Sequence, residues 1–364
     1  MNNISVDLQD NSYDIMIKKN GFASLRKEIS SRDLYTNILL VVDKNVYKSH
    51  GEKVDKFVKS HKGKIEKLIL DSIENKKNHE TLNKVYDKLI KKNFGRDTLL
   101  IAVGGGVIGD ICGYAAATYS RGIQFIQVPT TLLASVDSSV GGKTGINFGN
   151  VKNIIGAFYQ PKFVLIDFNF FTSLKEREII CGLGEIIKYA FLSNDEFFLF
   201  VQSNIAKLIK LSPAQINKAV TESVLFKTGV VSSDERESGL RKILNFGHTF
   251  AHAIEVEKNH KILHGEAVVF GMVAALYLSK ETGLLKESLL LTYLVMFNEV
   301  KDKIKIKSLD KKKVLAAMKR DKKNRNGRIN FVLIKEIGQF VLDSEANSKQ
   351  INKSLNNALS FFKN

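Results

Sequence analysis

Four of the seven histidines fall within one short stretch, between His248 and His264. If a single helix runs from about Arg241, then Arg241, Asn245, His248 and His252 recur at i, i+4, i+7 and i+11 and share one stripe of it. An apolar stripe would pack into the core, whereas this stripe predicts contact with something polar. Imidazole nitrogens are common zinc ligands, so the histidines form a candidate metal site.

Glu185 lies in a predicted helix that is otherwise apolar, within the segment GLGEIIK at residues 182–188. Lys188 follows one turn later, and a buried Glu–Lys ion pair is the simplest interpretation. Alternatively, the carboxylate joins His248 and His264 in a zinc site with three protein ligands and one open position. Spacing alone does not choose the third ligand, because His252 competes with Glu185. The motif H-E-x-x-H is absent, which argues against a metalloprotease.

A glycine-rich turn, GGGVIGD at residues 104–110, follows an apolar run that ends at Val103 and precedes a helical pattern. In this context G-x-G-x-x-G binds the pyrophosphate of a dinucleotide, although a tight turn without a ligand is the alternative. An acidic residue usually follows about 20 residues later and meets the ribose, but here residues 125–129 read FIQVP. The acid is instead Asp43, at the end of the first predicted parallel strand. The pattern predicts nucleotide binding on a related but different plan.

Small, hydroxyl and basic residues dominate the segment from 129 to 153. The letters GGKT at 141–144 resemble a phosphate-binding P-loop, but the first glycine of that motif would stand at Asp137. A flexible surface loop is the simple interpretation. We expect instead a loop that binds an anion, because the segment is rich in donors and has no long acidic or proline-rich stretch.

The chain is basic, with 55 lysines and arginines against 38 acids and a formal net charge of +17. Such a balance suits nucleic acid, an anionic membrane surface or an acidic small substrate. Most lysines are scattered over helical patterns and predict solvated faces. The densest stretch, residues 311–325, has no aromatic interleaving and no nucleic-acid-binding motif, so we expect no nucleic-acid partner.

Other sequence features concern the compartment. No apolar run reaches the ~18 to 20 residues of a membrane span, so we expect no membrane partner. The first residues lack a basic stretch followed by an apolar core, which predicts a cytoplasmic location. Cys112 and Cys181 form no CxxC pattern, which argues against a disulfide scaffold and against a cysteine-based zinc knuckle.

The elements that must position these residues change character near residue 168. Before it, apolar runs alternate with helical patterns, which predicts an α/β domain with a mostly parallel, Rossmann-like sheet covered on both faces. These runs lie at residues 37–42, 64–70, 98–103, 125–128 and 163–166. After residue 168 the patterns are mainly helical. We therefore expect one domain at 1–168 and a mainly α-helical one at 169–364.

Two antiparallel hairpins are also predicted. Residues 4–8 and 13–17 alternate with period two, which is typical of a hairpin at a sheet edge. Residues 329–334 and 339–342 flank the letters KEIG and predict a second hairpin near the end of the chain.

Seven segments together resemble the 3-dehydroquinate synthase family: GGGVIGD, QVPTTLLASVDSSVGGKTGIN, KNIIGAF, GLGEIIKYA, GLRKILNFGHTFAHAIE, HGEAV and MKRDKK. They occur in the family's order between about residues 37 and 335. The resemblance implies an NAD-binding domain at 1–168, a metal- and substrate-binding domain at 169–364, and a homodimer. The implied cofactors are NAD and a divalent metal ion, Zn²⁺ or Co²⁺. The sequence departs from the family at Lys175, where a proline is usual.

The resemblance also implies the roles of individual residues. The implied metal ligands are Glu185, His248 and His264. The implied NAD contacts are Asp43, Glu74, Lys77, Gly105, Gly106, Asp110, Thr130, Thr131, Asp137, Lys143 and Lys152. The implied catalytic and substrate-binding residues are Arg121, Lys143, Asn153, Lys188, Lys227, Arg241, Asn245, His252 and Lys322. Of these, Arg121 is expected to reach the neighbouring subunit's site, and Lys322 is preferred to the adjacent Lys323.

The implied reaction belongs to the shikimate pathway and converts 3-deoxy-D-arabino-heptulosonate 7-phosphate into 3-dehydroquinate and phosphate. The substrate is oxidised transiently, loses phosphate, is reduced again and closes its ring by an intramolecular aldol step, so NAD is not consumed. His252 is the expected proton-transfer group. Cyclases with neutral substrates and metal-dependent glycerol-type dehydrogenases are alternatives. The basic residues Lys227, Arg241 and Lys322 favour an anionic substrate.

Overall fold

The computed structural model describes residues 2–34, 37–149, 151–306, 308–320 and 329–363. The chain divides into two compact units, Met1–Lys175 with Lys227–Arg236, and Glu176–Phe226 with Glu237–Asn364. The first unit extends past the expected boundary at residue 168. The reason is a 3₁₀ turn, Phe168–Ser173, whose Phe170 packs edge-on against Phe22 in the core of that unit, with 5.5 Å between ring centroids.

The first unit is built on a seven-stranded sheet, and the predicted α/β class is confirmed. Its strands and the neighbouring two-stranded sheet are, in chain order, β1 Asn2–Val6, β2 Tyr13–Lys18, β3 Asn37–Asp43, β4 Ile65–Leu70, β5 Thr98–Gly104, β6 Gln124–Pro129, β7 Lys143–Phe148, β8 Val151–Phe158 and β9 Phe163–Asp167. The sheet order is β1-β2-β9-β6-β5-β3-β4. All pairs are parallel except β1 with β2, which form the predicted edge hairpin.

Both faces of this sheet are covered, as the unbroken apolar runs predict. In β3, Leu40 and Val42 belong to one core cluster, while Leu39 and Val41 belong to another. Successive side chains of a strand point to opposite faces, so the two clusters lie on opposite sides of the sheet. The helices of this unit are α1 Gly21–Ser30, α2 Lys44–Ser60, α3 His79–Lys91 and α4 Gly106–Thr118.

The expectation of a loop over residues 129–153 is wrong for its second half. A π-helical turn, Ala134–Ser138, is followed by the antiparallel pair β7 and β8. The sequence pattern does not indicate this pair, because apolar residues of β8 are exposed and because glycines allow β7 and β8 to approach each other closely. A Cβ atom on Gly145 would lie 2.5 Å from the Ile155 carbonyl oxygen. Anion binding by this segment stays a prediction.

The second unit is mainly helical, as predicted. Its helices are α5 Glu176–Leu192, α6 Asp195–Ile209, α7 Pro213–Ser233, α8 His248–Glu257, α9 His264–Glu281, α10 Glu287–Leu294, α11 Asn298–Lys301, α12 Lys311–Arg320 and α13 Ser348–Phe361, with α7 contributing to both units. The predicted hairpin is present as β10 Asn330–Glu336 and β11 Gln339–Glu345. Helix α5 begins directly after Lys175. Among the described residues, no helix is both long and apolar enough to cross a membrane.

Candidate functional site

Three potential metal ligands converge in the second unit: Glu185 on α5, His248 as the first residue of α8 and His264 as the first residue of α9. The Glu185 Oε1 atom lies 3.5 Å from Nε2 of His248 and 3.5 Å from Nε2 of His264. Ligand atoms at about 2.1 Å from one tetrahedral ion are about 3.4 Å apart. The spacing therefore suits three ligands of a single ion.

The surroundings of Glu185 bear on both interpretations of this carboxylate. Its side chain is fully buried, and the Lys188 ammonium forms a close ion pair with Oε2. Within the described part of the chain, however, neither carboxylate oxygen receives a hydrogen bond of acceptable geometry. A buried carboxylate is costly unless its oxygens are satisfied. The Glu–Lys pair therefore exists, and it leaves Oε1 available between two imidazoles, which fits a divalent cation.

The other ring nitrogens of His248 and His264 face groups outside the cluster. The Nδ1 atom of His248 lies 3.1 Å from the carbonyl oxygen of Phe246, so this nitrogen carries the hydrogen and Nε2 keeps its lone pair. His264 presents Nε2 to Glu185 and Nδ1 to Glu255. Burial alone would lower the pKa of His264, but the carboxylates of Glu185 and Glu255 raise it to about 10. A metal ion must displace the proton that these carboxylates favour.

The first turn of α9 is fixed by a second acidic residue, Glu266. Its carboxylate accepts a hydrogen bond from the backbone N–H of Leu263 at 2.9 Å, which caps the helix. Arg177 of α5 donates to both oxygens of the same carboxylate, each at 2.7 Å. The ion pair links the two helices that carry Glu185 and His264.

The expectation of one helix from Arg241 to His252 is wrong. Arg241 and Asn245 lie on a 3₁₀ turn, Leu240–Asn245, and α8 begins only at His248. Gly247 separates them with a φ of +77°, and a Cβ atom there would lie 2.8 Å from the backbone nitrogen of Met272. A glycine at this close approach breaks the helix.

The residues of the expected stripe nevertheless have polar surroundings. His248 and His252 share a face of α8, with ring centroids 5.4 Å apart, and the His252 ring lies 6.2 Å from that of His264. Arg241 is buried. The Asn245 amide donates to Oε1 of Glu237 at 2.7 Å. Glu237 was missed because its partner is identifiable only from the folded turn.

In the first unit, the predicted nucleotide contacts follow the carboxyl ends of neighbouring parallel strands. Asp43 ends β3, the glycine turn follows β5 and Thr130 follows β6, while Glu74 and Lys77 follow β4. The chain crosses from β4 over β3 to β5, so β3 and β5 mark a topological switch point. Ligands of open α/β sheets bind outside the strand ends at such points.

The glycine turn offers unsatisfied polar groups. Gly105 is the N-cap of α4, and no side chain caps the helix. Beside it, the buried hydroxyl of Thr130 has no hydrogen-bond partner among the described residues, while the Thr130 N–H donates to the Gly104 carbonyl at 3.0 Å. A Cβ atom added to Gly106 would lie 2.9 Å from the Ser138 hydroxyl oxygen. A helix start of this kind fits a phosphate group. Thr131 accepts a bond from the Ala134 N–H at 3.1 Å and so fixes the following turn.

A hydrogen-bond network connects five residues near this edge. The Lys77 ammonium contacts the Asp110 carboxylate and the Asn153 side-chain oxygen. Burial raises the pKa of Asp110, and Lys77 offsets part of that rise. Asn147 was not singled out from the sequence. Its amide donates to Oε1 of Glu74 at 2.8 Å, and its side-chain oxygen accepts from the Asn153 N–H at 2.9 Å.

The other predicted site residues are placed as follows. Lys227 and Asp137 form a close ion pair, and the Lys227 ammonium also donates to the Asp137 carbonyl at 2.7 Å. Asp43 caps α2 through bonds from the N–H groups of Asn45 and Val46 to Oδ1, at 2.6 and 3.2 Å. Arg121 is exposed on a turn with a φ of +66°. Lys143 and Lys152 lie on β7 and β8, and Lys322 lies outside the described residues.

Two family models match the chain in succession. The model described as 3-dehydroquinate synthase N-terminal matches residues 67–181, and the one described as 3-dehydroquinate synthase C-terminal matches residues 182–324. A curated relative, the 3-dehydroquinate synthase of Alkaliphilus metalliredigens (strain QYMF), is 42% identical over 335 residues, which are 92% of this chain and 92% of that protein.

Solved structures of two cyclases are similar to this chain over nearly its whole length. 2-Deoxy-scyllo-inosose synthase complexed with carbaglucose-6-phosphate, NAD+ and Co2+ has a TM-score of 0.88 and 25% identity, with 97% of this chain and 99% of that chain covered. 2-Epi-5-epi-valiolone synthase from Streptomyces hygroscopicus subsp. jinggangensis 5008, with NAD+ and Zn2+ bound, has a TM-score of 0.88 and 27% identity, with 97% and 98% covered.

Proposed function

The chain belongs to the 3-dehydroquinate synthase family, and we propose how its own residues perform that family's reaction. It is an enzyme that converts 3-deoxy-D-arabino-heptulosonate 7-phosphate into 3-dehydroquinate and inorganic phosphate, which makes it a phosphate-eliminating lyase. The observation that carries the assignment of its active residues is the buried Glu185 carboxylate, which faces two imidazoles at 3.5 Å.

Glu185, His248 and His264 hold the divalent metal ion, Zn²⁺ or Co²⁺. Three protein ligands leave a coordination position for substrate hydroxyl groups. When bound, the metal ion supplies a Lewis acid and NAD supplies a reversible hydride acceptor. Lys188 pairs with the second oxygen of Glu185 and orients the carboxylate.

The nucleotide-binding residues lie along the strand ends of the first unit. Gly105 and Gly106 would present the N–H groups at the start of α4 to the pyrophosphate, and the Thr130 hydroxyl, which has no hydrogen-bond partner among the described residues, would bond to it there. Contacts to the rest of NAD come from Asp43, Glu74, Lys77, Asp110, Thr131, Asp137, Lys143 and Lys152. The ion pair with Lys227 partly neutralises Asp137, so an anionic group approaches it at a lower electrostatic cost.

The proposed contacts to the anionic substrate are the cationic and amide side chains of Lys143, Asn153, Lys188, Lys227, Arg241 and Asn245. Arg241 is buried and so acts with little screening by water. His252 transfers a proton through an imidazole nitrogen, beside the His248 and His264 rings. Lys322 completes this set as a contact predicted from the sequence.

We also propose that the enzyme is a homodimer in which Arg121 reaches the partner's site. The hairpin of β7 and β8 supports this, because Phe148 is 61% exposed and Phe158 is 43% exposed, with Val151 and Ile154 exposed between them. Exposed apolar residues in one short element are typical of an interaction surface. The cytoplasmic location stays a prediction from the sequence.

An assay of phosphate release tests the proposed function. The protein with NAD and Zn²⁺ or Co²⁺ should release phosphate from the heptulosonate phosphate and form 3-dehydroquinate. Glucose 6-phosphate, which lacks the carboxylate, should not be turned over. Turnover of glucose 6-phosphate in preference to the heptulosonate would assign the chain to the cyclases whose substrates lack a carboxylate, and NADH formation from glycerol would assign it to the dehydrogenases.

A further inference from the structure

The two ring nitrogens of His264 face two different carboxylates. Nε2 lies 3.5 Å from Glu185 Oε1, and Nδ1 lies 3.7 Å from Oε2 of Glu255. Glu255 is on α8, only 4% exposed, and comes seven residues after His248. A buried acid on the far side of a proposed metal ligand has no role in the function described above.

We propose that Glu255 is a positioning residue that orients His264 for the metal ion. An acceptor facing Nδ1 keeps the hydrogen on that nitrogen and leaves the lone pair on Nε2, which points to Glu185. Metal-binding histidines generally donate their other N–H to a carboxylate or a backbone carbonyl. His248 already has such a partner in the Phe246 carbonyl, 3.1 Å from its Nδ1. In the proposal, Glu255 is the corresponding acceptor for Nδ1 of His264.

The alternative is that Glu255 itself binds the ion, since the ligand atoms of His252, Glu255 and His264 also lie within 4.8 Å of one another. The state of the two carboxylates argues against it. Glu185 is fully buried with two oxygens that lack hydrogen bonds in the described part of the chain, whereas Glu255 has further interactions of its own. An ion at the Glu255 side would leave Oε1 of the buried Glu185 carboxylate unsatisfied, because Lys188 pairs with Oε2.

The inference rests on the proposed metal centre, and its test measures metal binding to the full-length apoprotein. Co²⁺ is titrated against a competing chelator and followed by its visible absorption, which reports ligand geometry. Glu255→Ala should weaken Co²⁺ binding about 10- to 100-fold, as is usual for such outer partners. Glu255→Gln should retain most of the affinity, because its side-chain oxygen can still face Nδ1 of His264 as an acceptor. Glu255→Asp retracts the carboxylate by one methylene, and its Co²⁺ affinity should lie between those of the Ala and Gln variants.

Glu257→Ala is the matched control, because Glu257 lies on the same helix and contacts Lys258 and the Asp310 N–H instead. It should bind Co²⁺ like the wild type. Thermal unfolding of the apoproteins checks that each variant folds. If the Ala variant does not fold, the Asp and Gln variants provide the test. Wild-type affinity in the folded Ala variant, or in the Asp variant if Ala does not fold, would overturn the inference.

Two further results distinguish the reasons for a failure. If Glu255→Gln loses Co²⁺ as completely as Glu185→Ala, Glu255 is a ligand and the positioning role is overturned. If His248→Ala binds Co²⁺ like the wild type, the proposed metal centre is wrong and the inference fails with it. If His248→Ala loses Co²⁺ while Glu255→Ala keeps full affinity, only the role of Glu255 is overturned.

Discussion

Gly265, the second residue of α9, lies against Cys181 of α5 so closely that a Cβ atom at position 265 would overlap the Cys181 carbonyl oxygen. The Gly265 N–H donates to Sγ of the same cysteine at 3.2 Å. On the other helix, a Cβ atom on Gly184 would lie 2.6 Å from the Gly265 carbonyl oxygen. Glu185 and His264 directly adjoin these glycines, so the distance between two proposed metal ligands depends on backbone contact between the helices.

Gly265→Ala should therefore lower metal affinity without removing any ligand atom. The new methyl group must push α5 and α9 apart, which shifts Glu185 relative to His264, and such overpacking costs about 1 to 3 kcal/mol of stability. Co²⁺ titration and thermal unfolding measure the two effects.

Gly229→Ala is the control for this substitution, because a Cβ atom there meets no atom of the described residues within 4 Å. It should leave Co²⁺ affinity unchanged and should not lower stability. Wild-type Co²⁺ affinity in Gly265→Ala would show that the ligand spacing does not depend on the glycine contact.

The sequence predicts the sheet well because its signal is local. Strand β3 is a run of apolar residues such as Leu39 and Leu40, and both faces of the run are buried in fact. The break at Gly247 could not be predicted from periodicity, because it depends on a close approach to Met272, a residue of α9. Periodicity describes one element at a time, whereas this break comes from the packing of two.

The candidate site could likewise be predicted from the sequence only in part. Residue type and the family resemblance single out Glu185 and the histidines. Glu255 and Asn147 were missed because they contact residues that only the fold brings to them, namely His264 and the pair of Glu74 and Asn153. Nothing in the spacing of either residue indicates its partner.

Removal of the metal ion should abolish turnover. A metal ion with three protein ligands would keep one coordination position open for the substrate. Without the ion, nothing at this position would polarise the substrate hydroxyl groups. Chelation followed by dialysis should give an inactive protein, and Zn²⁺ or Co²⁺ should restore activity. His264→Ala should lose both metal content and turnover. Full activity in a sample verified to be metal-free would contradict the proposed centre.

Asn147→Ala should weaken NAD binding while it leaves Co²⁺ affinity unchanged. The variant loses the bonds that hold Glu74 and the Asn153 backbone, and one of them goes to a carboxylate. A loss of about 1.4 kcal/mol corresponds to about a tenfold weaker affinity. Calorimetric titration with NAD measures it, and Asn356→Ala, an exposed change on α13, serves as the control. Equal NAD affinity in both variants would remove Asn147 from the nucleotide site.

Arg241→Ala should weaken binding of the substrate and of its non-hydrolysable phosphonate analogue by about 2 kcal/mol, the usual contribution of a hydrogen bond to a charged group. The side chain is buried, so water compensates little for its loss. Lys242→Ala is the matched control, because this neighbour on the same turn pairs with Asp343 at 2.9 Å. Calorimetry with the analogue separates binding from turnover. An unchanged affinity in Arg241→Ala would place Arg241 outside the substrate site.

The enzyme should recycle its NAD. A dehydrogenase releases one NADH for each substrate oxidised, whereas an enzyme that returns the hydride to the same substrate molecule needs NAD only in catalytic amounts. The glycine turn at Gly105 and the proposed ligands Glu185, His248 and His264 are compatible with either reaction, so stoichiometry must decide. We expect many equivalents of phosphate for each NAD supplied, with no steady rise in NADH absorbance. Phosphate release matched mole for mole by free NADH would reject the cyclase reaction, because the hydride would then leave with the cofactor.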